Sequence, residues 1–371
     1  MFFSQESCRI LKRNMFKQVI QITNKQVGQN HPCFVIAEIS ANHDQKFECA
    51  VKLIEEAKRA GADAVKLQTY TADTLTIDVS RGHFLIPKDN TFAGSKNLYS
   101  LYKTAYMPWE WQPKLMKIAK KLGIILFSTA YEETAVEFLE KEIKIPVHKV
   151  ASFEMTDDFL LAKMAKIGKP IIMSTGMATL EEIDHAVSVL QGNDCSELAI
   201  LRCSSAYPAT SEEMHLGNME VLRNIYGIPV GVSDHTRGIG AAVAAVALGA
   251  NVIEKHFMLS DEKNSPDRSF SLTPSDFKKM VTAVREAEAA VSGGIHFGPS
   301  SMMEMTHREI YRRSLYIVKD VKQGEKLTHE NLRAIRPGGG LDLKYHRELL
   351  GMKVVKAAVR GTPMSWDLVK N

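Results

Sequence analysis

Eight short apolar runs punctuate residues 34–257, and each closes on polar or charged side chains. They fall at 34–40 (FVIAEIS), 64–69 (AVKLQT), 124–129 (IILFST), 147–152 (VHKVAS), 170–175 (PIIMST), 198–205 (LAILRCSS), 229–235 (PVGVSDH) and 252–257 (VIEKHF). Near-continuous runs rich in Val and Ile suit parallel strands covered on both faces. Between them, stretches such as 47–60 and 180–190 carry apolar residues at helical spacing. Eight alternating strand–helix units predict an α/β fold, a (β/α)8 TIM barrel, whose active site lies at the C-terminal ends of the strands. Those ends carry Glu38, Lys66, Gln68, Thr129, Lys149, Ser152, Ser174, Ser205, Ser233, His235 and His256. An enzyme is the expectation.

A barrel takes roughly 250 residues, and the chain has 371, so material remains for a smaller module. A short hairpin is predicted from residue 16 to Gly28, closing the bottom of the barrel, with residues 1–15 as an extension and Met15 an alternative start. Residues 71–95 form a long connection rich in Thr, Asp, Gly and Pro, the signature of a lid or substrate-binding element, ahead of a helix over 109–122. Thr273 followed by Pro274 opens a helix to about residue 291. Residues 292–313 read as a Gly- and Met-rich linker. Short strands and Gly-punctuated turns then predict a compact module over 314–371. The expected organisation is therefore 1–33 extension and hairpin, 34–291 barrel, 292–313 linker and 314–371 module.

Basic and acidic residues number 47 and 43 with no dense basic run, which argues against nucleic-acid binding. The five cysteines are scattered without a C-x-x-C pair, so a reduced, cytoplasmic protein is expected rather than a disulfide or zinc framework. The longest uncharged stretch, 238–253, is rich in Ala and Gly and stops short of a membrane span.

Alternation along a strand puts Ser233 with His235, and Glu254 with His256, on shared faces. If both histidines face inward from neighbouring strands, they converge on a metal with open coordination positions, as a catalytic site requires; the alternative is that each bonds a backbone group. Lys66 and Lys149 are cations at buried strand ends, where an anionic ligand would compensate them. Nearby hydroxyls at Thr129, Ser152, Ser174 and Ser233 could bind phosphate or carboxylate oxygens, and Ser174-Thr175-Gly176-Met177 resembles a phosphate-gripping turn ahead of a helix capped by Thr179 and Glu182. A Schiff-base role competes for either lysine. Glu154 and Asp267 are candidates for sugar hydroxyls, and Glu254, one layer deeper than His256, is expected to pair a barrel-interior cation.

The segments FVIAEISANH (34–43), AVKLQT (64–69), HKVASFE (148–154), IIMSTGM (171–177), CSSAYPA (203–209), GVSDHT (231–236) and EKHF (254–257) closely resemble the sialic acid synthase family. Residues 312–340 (RRSLYIVKDVKQGEKLTHENLRAIRPGGG) are similar to that family's antifreeze-like domain, a small SAF module of β-clip type. The resemblance implies condensation of phosphoenolpyruvate with an N-acetylated amino sugar, giving a nonulosonic acid and phosphate. It also implies a divalent metal, typically manganese with magnesium or cobalt as alternatives, held by His235 and His256. By motif, Lys66, Thr129, Lys149, Ser152, Ser174 and Ser233 match positions that hold phosphoenolpyruvate, as does Ser205, although sialic acid enzymes often carry Asn there. Glu38 matches a carboxylate near the reacting carbons. Gln68, Glu154, Tyr207 and Asp267 match acceptor contacts. Arg336 matches an arginine reaching the acceptor's N-acyl group across a domain-swapped homodimer.

CSSAYPA, residues 100–111 (SLYKTAYMPWEW) and residues 265–272 (SPDRSFSL) resemble the pseudaminic acid branch. Its acceptor is a 2,4-diacetamido-2,4,6-trideoxy-altrose, and Tyr106, Met107 or Trp109 would suit its methyl and acetamido groups. N-acetylneuraminate or legionaminate synthesis is the alternative within the family.

Overall fold

The computed structural model describes residues 16–87, 94–261 and 265–369. The expected extension over 1–15, with the alternative start, lies outside them. The chain divides between Ser292 and Gly293 into two compact units.

The first unit opens with an antiparallel hairpin, β1 (Val19–Ile22) and β2 (Lys25–Gly28). Eight parallel strands follow: β3 (Phe34–Glu38), β4 (Ala64–Thr69), β5 (Ile125–Ala130), β6 (His148–Val150), β7 (Ile171–Ser174), β8 (Leu198–Cys203), β9 (Val230–Asp234) and β10 (Val252–His256). They pair in chain order, and β10 returns to pair with β3, closing the barrel. All eight predicted strands are present, each within a few residues of its expected bounds, and a helix follows each. Strand interiors are almost wholly buried, as the absence of polar alternation requires. The hairpin buries Ile20, Ile22 and Val27. It is tied to residues just ahead of two strands: the Gln21 amide donates to Glu197 at 2.7 Å, and Lys25 pairs with Asp63 at 2.7 Å. It therefore covers the N-terminal ends, leaving the other rim for the site.

Local sequence explains how the helices start and stop. The expected capping box forms, with Thr179 accepting from the Glu182 amide and Glu182 accepting from the Thr179 amide ahead of the helix Leu180–Gly192. Gly123, at φ +66°, ends the helix Gln112–Leu122 in a left-handed turn. The Ala-rich helix Gly240–Ala247 leads into β10, as expected of residues 238–253. Among the described residues, no helix is long and apolar enough to cross a membrane.

The second unit pairs β11 (Ser314–Ile317) with β12 (Leu332–Ile335) antiparallel. Its own core includes Leu315, Ile317, Leu327, Leu332, Leu349 and Val354. The residues expected as a linker contain a helix, Met302–Tyr311. Ser301 caps it by accepting from the Glu304 amide, and none of its residues is buried. The Gly- and Pro-based reading fits residues 293–299 but misses a well-capped run of helix formers behind them.

Candidate active site

Barrel closure sets the first layer. Register places Glu38 on β3 opposite Lys66 on one side and His256 on the other. The Lys66 ammonium lies 2.7 Å from Glu38 and 3.2 Å from Glu254, and it donates to the Thr129 hydroxyl at 3.1 Å. Burial opposes the lysine's charge, but the two carboxylates outweigh it and push Lys66 up to about 12. Lys66 thus does not need an anionic ligand for compensation, contrary to the expectation from sequence. Its two carboxylates come from the first and last barrel strands, which become neighbours only when the barrel closes. Glu254 takes the structural role predicted for it. Glu38 also accepts from the Ser40 amide at 2.9 Å and from Gln68 at 3.2 Å, while burial raises its carboxyl to about 7.

Lys149 is different. It is fully buried and donates to the Ser174 hydroxyl at 2.7 Å and the Val150 carbonyl at 2.8 Å, with no carboxylate at ion-pair distance among the described residues. Burial lowers it to about 8. Beside it, the turn after β7 brings Gly176 against two serines. A Cβ at Gly176, where φ is +20°, would lie 2.2 Å from Ser205 Oγ and 2.6 Å from Ser152 Cβ, so only glycine fits. The buried Ser205 hydroxyl has no hydrogen-bond partner. A cation, hydroxyls from three elements and an unsatisfied oxygen make an anion cradle. Ser233 instead donates to Glu254 at 3.2 Å, which turns it toward the carboxylate layer.

The imidazoles of His235 and His256 converge, with ring centroids 5.3 Å apart. His235 Nδ1 lies 2.7 Å from the Ser204 carbonyl, so that nitrogen carries the proton and Nε2 is free to coordinate. Burial first, and then the positive charges of His235, Lys66 and Lys255, hold His256 well below the usual imidazole range and keep it neutral. Among the described residues no cluster of three or more His, Cys, Asp or Glu side chains gathers here. Behind the pair, Asp234 and Lys255 on the outward strand faces form a buried ion pair at 2.9 Å.

A cavity of about 410 Å³ opens over these groups. Gln68, Glu154, Ser205, Tyr207, His256 and Asp267 line one part of it. Tyr207 packs on His235 at 4.3 Å between centroids, Asp267 stands 3.7 Å from His256, and burial raises Glu154 to about 7. Leu75, Ile86, Leu98, Leu101, Tyr102 and Ala105 line another part, so the long connection after β4 does wall the cavity. Tyr106, Met107 and Trp109 do not line it. Met107 is in the core, and Trp109 packs on Phe138 and donates to the Tyr70 carbonyl. Sequence reasoning missed Leu98, Leu101, Tyr102 and Ala105, whose spacing of three, four and seven is a helical face. It also missed Tyr70 and Tyr131, which pack edge to face at 5.2 Å.

Arg336 lies in the second unit, exposed beside the Tyr311 ring, with its Cζ 5.9 Å from the centroid. The turn that carries it is tied down, since Ser314 donates to the Pro337 carbonyl at 3.0 Å and Tyr316 to the Gly338 carbonyl at 2.9 Å.

The NeuB family model matches residues 53–296, and the SAF domain model matches residues 312–370. The chain belongs to the NeuB family. Within that family it is 42% identical over 323 residues to the pseudaminic acid synthase of Campylobacter jejuni strain NCTC 11168, covering 87% of this chain and 92% of that one. The Helicobacter pylori pseudaminic acid synthase is 38% identical, over 91% of this chain and 97% of its own. Among solved structures of similar fold is the Leptospira borgpetersenii N-acetylneuraminic acid synthetase in complex with citrate. It has a TM-score of 0.68 and 29% identity, and the match covers 79% of this chain and 97% of that one.

Proposed function

We propose that the chain is a pseudaminic acid synthase, condensing phosphoenolpyruvate with 2,4-diacetamido-2,4,6-trideoxy-β-L-altropyranose and water to give pseudaminic acid and phosphate. One observation carries this reading: Ser205 of the Lys149 cradle and His256 of the imidazole pair line a single cavity that also has an extensive apolar lining. Identity to pseudaminic acid synthases supports the product, since the legionaminic acid synthase of Legionella pneumophila is less similar, at 34%.

Lys149, Ser152, Ser174 and Ser205 hold the phosphate and carboxylate of phosphoenolpyruvate, and their fixed donors neutralise charge that grows as phosphate leaves. Lys66 and Thr129 border the same anion, with Ser233 behind them. Glu38, its carboxyl poised near 7, accepts a proton from the water that adds at C2. Gln68, Glu154, Tyr207 and Asp267 orient the open-chain sugar so that its aldehyde carbon faces C3 of phosphoenolpyruvate. His235 and His256 fit a divalent cation, manganese in this reading, because both are buried and convergent, and the bond from His235 Nδ1 to the Ser204 carbonyl leaves its Nε2 free. When bound, the cation supplies Lewis-acid polarisation of the aldehyde. Arg336 completes the acceptor pocket of a partner subunit in a domain-swapped homodimer, a reading supported by the antifreeze-like module that carries it. The buried thiols of Cys33, Cys195 and Cys203, free of disulfides, support work in the reducing cytoplasm.

The test is phosphate release from phosphoenolpyruvate with each of three acceptors. The trideoxy-altrose should support turnover at least about tenfold faster than N-acetylmannosamine or the 2,4-diacetamido-6-deoxy precursor of legionaminate, the scale a single apolar substituent confers. Faster turnover of either competitor assigns the chain to another product.

A further inference from the structure

The cavity is two-sided, and its apolar side is built as firmly as its polar one. Leu98, Leu101, Tyr102 and Ala105 project from one face of the helix Leu98–Ala105, while Lys103 and Thr104 on the other face are exposed. Both ends of this helix are anchored. Asn97, buried at its N-cap, accepts from the Ser100 amide and donates to Asp78, the Val79 carbonyl and Ser80 at 2.9–3.2 Å, which pins the preceding loop to the helix. Gln45, from the segment after β3, donates to the carbonyls of Lys103 and Tyr106 at 3.1 and 3.2 Å. Leu75, from the short helix Ala72–Leu75, and Ile86 extend the same wall. Tyr70 on the barrel side meets Tyr102 edge to face at 5.9 Å, joining the wall to the strand ends.

An anchored hydrocarbon wall facing a polar floor selects an amphiphilic ligand by orientation. A sugar bearing hydroxyls at every carbon would set one of them against Leu98 and Leu101, whose side chains offer no hydrogen bond. We propose that this wall is the specificity pocket for the methyl-bearing end of the acceptor, receiving the C6 methyl and the neighbouring C4 acetamido methyl while the aldehyde end lies at the imidazoles. Leu98 and Leu101 are its discriminating side chains. The inference rests on the functional reading above and adds to it where selectivity against a 6-hydroxyl is built.

The experiment compares kcat/KM for the trideoxy-altrose acceptor and its 6-hydroxy counterpart in the full-length protein and its variants. A methyl-sized contact in an apolar pocket is worth about 10–200-fold in discrimination. Leu101→Gln and Leu98→Gln should therefore each erode the preference for the 6-deoxy sugar by about tenfold or more. The KM for phosphoenolpyruvate should hold, and Leu101→Met should retain the preference. If the wild type does not turn over the 6-hydroxy sugar, new turnover of it by the Gln variants gives the same answer. Equal loss with both acceptors, or a raised KM for phosphoenolpyruvate in folded Gln variants, would overturn the proposal. Because the two leucines project separately, failure of one variant to fold leaves the other as the test. A wild type inactive with the trideoxy-altrose sinks the functional reading instead, a result that needs no variant to see.

Discussion

The two rims of the barrel use charge in opposite ways. At the rim covered by the hairpin, Asp63 meets Lys25 at 2.7 Å, Arg285 at 3.0 Å and the Val35 amide at 3.0 Å, and Glu197 meets Lys17 and the Gln21 amide. These groups are satisfied, and they staple the hairpin and the last barrel helix to the strand starts. At the opposite rim Lys149 has no carboxylate partner, and Ser205 Oγ, Glu154 Oε2 and His256 Nδ1 are buried without hydrogen bonds. Unsatisfied buried polarity costs stability wherever it is found. Among the described residues more of it lies at this rim than at the other, where His148 at the start of β6 is the exception, and this rim is where the proposed ligands would complete it.

Lys149→Met should break this contrast most severely. Loss of a charge-assisted contact is worth about 1.5–3 kcal/mol, so phosphoenolpyruvate turnover should fall about tenfold to more than a hundredfold while the unliganded protein holds or gains stability. A variant that loses stability without losing turnover would show Lys149 to be structural. The same lysine sets a pH signature. With its pKa lowered to about 8, phosphoenolpyruvate affinity should weaken as pH rises through 8. Between 8 and the ordinary lysine value, the folded chain binds fewer protons at this site than the unfolded chain, so its contribution to stability rises with pH. Urea unfolding with and without phosphoenolpyruvate should show the two trends running in opposite directions.

Gly176→Ala sharpens the comparison next. Its new Cβ pushes Ser205 and Ser152 out of the cradle, and a displacement of about 1 Å can cost on the order of a hundredfold in rate. Kinetics should show that loss chiefly with phosphoenolpyruvate; unchanged kinetics would mean the serines do not hold it. Asp63→Asn tests the other rim with the smallest effect. It should lower stability to chemical denaturation by about 1–3 kcal/mol and leave kcat/KM intact, and a comparable loss of activity would erase the distinction between rims.

Much of this was legible in the chain because the barrel strands lie between two apolar layers and leave unbroken hydrophobic runs. Alternation puts Glu254 with His256, and Ser233 with His235, on shared faces, and the closed barrel shows the two imidazoles converging. What could not be read depends on closure or on irregular backbone. The pairing of Lys66 with both Glu38 and Glu254 needs the first and last strands to be neighbours, and no local pattern states that. The wall from Leu98 to Ala105 follows a stretch without periodicity, which hid its helical face and directed attention to Tyr106, Met107 and Trp109. The helix Met302–Tyr311 buries no side chain and follows a Gly- and Pro-rich stretch, which drew its residues into the linker reading.

Closure by β10 also imposes an order in time. Glu38 and Lys66 leave the ribosome early, whereas Glu254 and His256 belong to the last strand. At roughly 5–20 residues per second, Lys66 waits on the order of ten to forty seconds for its second carboxylate. A nascent chain halted before β10 therefore carries an open sheet with an exposed edge and an under-compensated lysine at its centre. The strand that supplies Glu254 and His256 is thus also the one that removes the open sheet edge, so closure of the barrel and assembly of the carboxylate and imidazole layer are a single event.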